Sequence, residues 1–205
     1  IPVEPLPPLT PAALRLLGVD AAGARAIRNI CDNFVRVAPI NLLFAGAVER
    51  VLEGAEATGE GTAVAWSPPE ALAPMPAMVD MAEADVDLRR VLLQLGTEVG
   101  GEPFVPGLYR LLARWPGYLA HAATELTPLL RSDLARAERT AISHNIVAAA
   151  DEILAAVPPT DMAPPSAEQA REIIAAIHTY RITSPEMVVF GTLLRDALPQ
   201  EGDWS

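Results

Sequence analysis

His121 and Glu125 stand four residues apart in a helical stretch, a spacing that sets an imidazole and a carboxylate on one helix face. Such a pair is half of a metal site. No second His or carboxylate pair repeats the spacing, so a polar pair on a helix is the simpler reading, and neither a metal nor another cofactor is expected. His144 and His178 fall in separate helical stretches. Cys31 is the single cysteine, which excludes a disulfide framework, a CxxC redox pair and a thiolate zinc site. The acids Asp80, Glu83, Asp85 and Asp87 read as a solvated helix start favoured by the helix dipole. Tyr109 and Arg110, close before Trp115-Pro116, admit two readings: a ligand-pocket wall, or a helix junction held by the Trp-Pro step. The basic residues are all Arg, so Schiff-base chemistry and phosphate-binding lysines of the Walker or kinase kind are excluded. No G-x-G-x-x-G, G-x-S-x-G, H-E-x-x-H or EF-hand pattern occurs.

Composition narrows the class further. The chain has 205 residues, 51% apolar and 20% charged, the mixture of a globular domain with a sizeable core. Acids outnumber bases 26 to 15, a formal net charge of −11, which disfavours nucleic acid and anionic membrane surfaces as partners. The longest apolar stretch, Ala38–Val48, falls far short of the roughly 20 residues a membrane span needs. With no signal segment and no disulfides, the expected location is the cytoplasm.

The elements that must position these residues read as helices nearly throughout, so the fold class is all-α. Helices are expected over 11–17, 21–37, 39–53, 78–99, 104–114, 116–130, 133–156, 166–182 and 185–198, with 54–77 as a linker. Thr10-Pro11 and Ser184-Pro185 place a cap before a helix-opening proline, and Ser166 to Gln169 forms a capping box. Asp20–Leu52 aligns without a gap on Ser166–Leu198. Ala21, Ala24, Arg25, Ile27, Pro39, Phe44 and Leu52 recur as Ala167, Ala170, Arg171, Ile173, Pro185, Phe190 and Leu198. Caps and prolines stay in register, which implies a duplication: 11–53 is the second half of repeat one and 78–199 is repeat two, packed as a single unit. A first half of repeat one is expected ahead of Ile1, the opening residue not being Met.

The segment Val105–Leu119, with its Trp115-Pro116 step and the Pro39 and Pro185 landmarks, resembles the group I 2-haloacid dehalogenases. That all-helical family has two tandem pseudo-repeats and is related in fold to the alkylhydroperoxidase-D and carboxymuconolactone decarboxylase group. The resemblance implies a pocket for a small carboxylic acid between the repeats and a homodimer. In the family an Asp activates a water that attacks the substrate carbon directly, and an Asn holds that water. Carried over by position, the Asp falls on Leu108 and the Asn on Ala38, neither of which accepts a proton; a pocket tyrosine falls on Tyr180. Loss of a general base removes a factor of about 10²–10⁴ in rate, so the family's hydrolysis is not expected unless Glu98 or Glu102 substitutes. The expected ligand-pocket residues are Ala38, Leu108, Tyr109, Arg110 and Tyr180. The competing reading is a non-enzymatic small-acid binding or protein-interaction module. A redox protein of the alkylhydroperoxidase-D type fails because Cys31 has no resolving partner.

Overall fold

Asp20 and Ser166 each open a long helix in the same way, the side-chain oxygen accepting from the backbone N–H three residues on, Gly23 and Gln169 respectively. The two helices are α2, Ala21–Leu52, and α7, Ala167–Asp196. The computed structural model describes residues 4–61, 71–159 and 164–204. Within these, α1 (Pro11–Leu16) precedes α2, and α3 (Val86–Gln94) leads into the strands β1 (Thr97–Val99) and β2 (Glu102–Phe104). Then come α4 (Gly107–Leu112), α5 (Pro116–Leu130), α6 (Asp133–Ala156) and, after α7, a 3-10 turn over Glu201–Trp204. The fold is all-α apart from this one small hairpin.

α2 and α7 run antiparallel, as the pairs Asp32–Arg195 and Glu49–Arg181 near opposite ends require. Gly191 permits the close approach: a Cβ there would lie 3.2 Å from Val35 Cγ2 and 3.6 Å from the Cys31 carbonyl. Arg28 of α2 donates to the carbonyls of Leu198 and Pro199, both at 3.0 Å, satisfying groups just past the end of α7. The core lies between these helices and α1, α3, α4 and α5, where Ile27, Ile30, Leu92, Leu108, Leu119 and Phe190 are buried together.

Three expectations are corrected. Pro39 and Pro185 do not start helices; each lies inside one continuous helix. An interior proline loses one hydrogen bond and crowds the preceding turn, about 3 kcal/mol. Packing along the full α2–α7 seam holds the chain helical through that defect. The 78–99 helix is confined to Val86–Gln94, because Asp85 caps it by accepting from the N–H groups of Asp87 and Leu88. The residues after it form a hairpin through Gly100-Gly101, both at positive φ (61° and 86°), the backbone a two-residue turn needs. The 104–114 helix starts at Gly107 because Glu102–Phe104 are paired in β2. The remaining helices lie where expected, and Trp66 of the linker lies outside the described residues.

Candidate functional site

A cleft of about 620 Å³ opens between α2 and α7. Its floor is the start of α4, and the irregular segment 72–78 lines it as a strap. That strap is tied at both ends. Asn33 Nδ2 donates to the Ala73 carbonyl (3.0 Å), Arg110 Nε donates to the Val79 carbonyl (3.0 Å), and the Val79 N–H donates to the Arg110 carbonyl (3.1 Å).

The walls match in register. α2 contributes Asn33, Phe34, Val37, Ala38 and Asn41, and α7 contributes Thr179, Tyr180, Thr183, Ser184 and Met187. These are the same five positions of each helix under the alignment of Asp20–Leu52 with Ser166–Leu198. Chemically the walls differ: the α7 side carries four hydroxyls, the α2 side an apolar strip flanked by two amides. Among the described residues lining the cleft, Arg110 is the only charged one, and there is no carboxylate, imidazole or thiol.

Of the five expected pocket residues, Ala38, Arg110 and Tyr180 line this cleft. Leu108 and Tyr109 do not; both are fully buried in the core. Helical phase explains the split: Gly107, Arg110 and Leu111 share the face of α4 toward the cleft, so Leu108, Tyr109 and Leu112 turn inward. Tyr180 is 52% exposed at the rim. Glu98 and Glu102, the candidate replacement bases, project exposed from the hairpin and form no part of the cleft wall.

Tyr109 instead belongs to a polar cluster that sequence reading missed. Its hydroxyl donates to Glu186 Oε1 at 3.0 Å, and Arg139 Nη1 of α6 lies 3.3 Å from Glu186 Oε2. Glu186 is only 2% exposed, and burial raises its carboxyl above the ordinary value despite the Tyr109 and Arg139 contacts, which pull it down. Burial also holds the Tyr109 phenol well above its usual range, so it stays a donor. The signal was present as a single acid inside the apolar run Pro185–Leu194.

Cys31 is buried, and desolvation pushes its thiol up to about 12, so it is protonated and inert at neutral pH. His121 and Glu125 gain no third partner: among the described residues no group of three or more His, Cys, Asp or Glu side chains is placed to hold a metal.

No family model matches the chain. It is 29% identical over 145 residues to an (R)-2-haloacid dehalogenase of Pseudomonas putida, across 68% of this chain and 48% of that protein. The chain thus spans about half the length of the curated relative it matches. Among solved structures it superposes on a D-2-haloacid dehalogenase mutant in complex with D-2-CPA, with a TM-score of 0.73 and 26% identity, over 94% of this chain and 68% of that one. The complex of D-2-haloacid dehalogenase with L-LA gives a TM-score of 0.72 at 26% identity, over 94% and 69%. In sequence and in fold alike, the chain is similar to 2-haloacid dehalogenases.

Proposed function

We propose that the chain binds a small carboxylic acid in the α2–α7 cleft and does not hydrolyse a carbon–halogen bond. One observation carries this: the described wall offers a guanidinium and several hydroxyls to a carboxylate, but no group able to take a proton from water. The ligands held by the solved relatives, D-2-CPA and L-LA, support an acid as the class of occupant. The matched wall positions support a fold built from tandem repeats with the cleft between them.

Halide release tests the reading. Incubated with either enantiomer of 2-chloropropionate, the protein should release halide at the rate of the buffer blank. Release above the blank overturns the proposal, and Glu98→Gln and Glu102→Gln made separately then show whether the hairpin supplies the base. Leu108→Asp does not restore activity, because it places an unpaired carboxylate in the core and destabilises the fold by several kcal/mol.

The interaction-module reading draws on another surface. Ile40, Phe44, Val48 and Val51 form an exposed apolar stripe along α2, with Phe44 69% exposed. A second copy of the chain covering that stripe accounts for it, in line with the expected homodimer. Sedimentation should show two copies that separate in the Phe44→Glu variant; a monomeric wild-type protein removes this reading. Among the described residues no helix is long and apolar enough to cross a membrane.

A further inference from the structure

The cleft is much larger than a two- or three-carbon acid requires. A volume of about 620 Å³ sits within the range of sites that enclose drug-sized ligands, roughly 300–1,000 Å³. An occupant the size of propionate leaves most of the wall without contact partners, and unfilled wall forfeits its dispersion energy. Part of the exposed wall is also apolar. Met75 and Met78 of the strap are 51% and 52% exposed, and Leu72 beside them is exposed too, although all three face a cleft. Apolar side chains left open to water inside a concavity gain stability when an alkyl chain covers them.

Two methionines add adaptability, since their unbranched thioether chains follow the shape of whatever lies against them. The charged end is equally defined. Arg110 spends Nε on the Val79 carbonyl, and among the described residues neither of its terminal nitrogens donates to the protein. A guanidinium in that state is a fork awaiting a carboxylate.

From these observations we infer that the ligand is a medium-chain aliphatic monocarboxylate, in the hexanoate-to-decanoate class. Its carboxylate pairs with Arg110 and its chain lies against Phe34, Leu72, Met75 and Met78. The inference rests on the small-acid reading above and sets the length of the acid.

The test is calorimetric titration of the intact protein with the straight-chain acids from acetate to decanoate and with the matching primary alcohols. Affinity should rise about fourfold per methylene, the equivalent of about 0.8 kcal/mol, until the cleft is full. Each alcohol should bind at least tenfold more weakly than its acid. In the Met75→Gln/Met78→Gln double variant, whose changes fall on half-exposed side chains and spare the core, the dependence on length should flatten.

Acids that bind equally well at every length overturn this inference and leave the small-acid reading standing. Alcohols that bind as tightly as their acids overturn the small-acid reading, because the charge is then not recognised. No binding by any member of either series overturns both.

Discussion

Glu186 is a carboxylate almost wholly removed from water, held by one phenol and one guanidinium that is itself partly exposed. Its folded-state value lies above the ordinary 4.5, chiefly through desolvation, so between the two values the folded chain holds more protons than the unfolded one. Its contribution to stability is therefore fully present below about pH 4.5 and is lost as pH rises through the raised value. Glu186→Gln keeps an acceptor for Tyr109 and removes the titration. Urea unfolding across pH should show the variant gaining on the wild type as pH increases, and a constant difference would contradict the assignment. Three of the five expected residues, Ala38, Arg110 and Tyr180, line the cleft. Leu108 and Tyr109 do not line it, because matching a motif gives a position along the chain, whereas facing a cleft depends on helical phase and on where α4 begins, which the hairpin decides.

At the scale of elements, caps carried the reading and prolines misled it. Asp20 and Ser166 each accept the N–H bond their position predicts, Ser132 accepts from the Ala135 N–H in the same way, and α2, α6 and α7 start where expected. Pro39 and Pro185 looked like boundaries because a proline's local cost is visible in sequence, while the long-range seam that offsets it is not. The hairpin was hidden for a related reason: Gly100-Gly101 is a turn signal, but three-residue strands are too short to show alternation. The α2–α7 seam has one narrow point at Gly191. Gly191→Val drives a branched side chain into Val35 and the Cys31 carbonyl, an overpacking worth about 1–3 kcal/mol. Chemical denaturation should register that loss; an unchanged midpoint would mean that the helices separate freely there.

At the scale of the molecule, the all-α class was readable from composition and period, whereas the antiparallel pairing of α2 with α7 was not. The cleft was not: its walls come from 33–41, 72–78, 104–111 and 179–187, segments that only the finished fold brings together. Leu9 donates to the Ala197 carbonyl, Arg28 reaches past the end of α7, and Arg15 stacks 5.5 Å from the Trp204 ring. Early parts of the chain are thus fastened to late ones. The antiparallel seam joins helices far apart in the chain. On a ribosome, α2 emerges long before α7, and until α7 follows, the buried face carrying Ile27, Ile30 and Cys31 lacks the helix that closes over it. Loop-closure entropy across so long a separation makes the final docking slow compared with forming the helices themselves. Through that interval the nascent chain has an open core and no cleft. It is most prone to aggregate then, and no ligand of the finished cleft can rescue it, because α7, the wall the ligand needs, follows the other described α-helices in the chain.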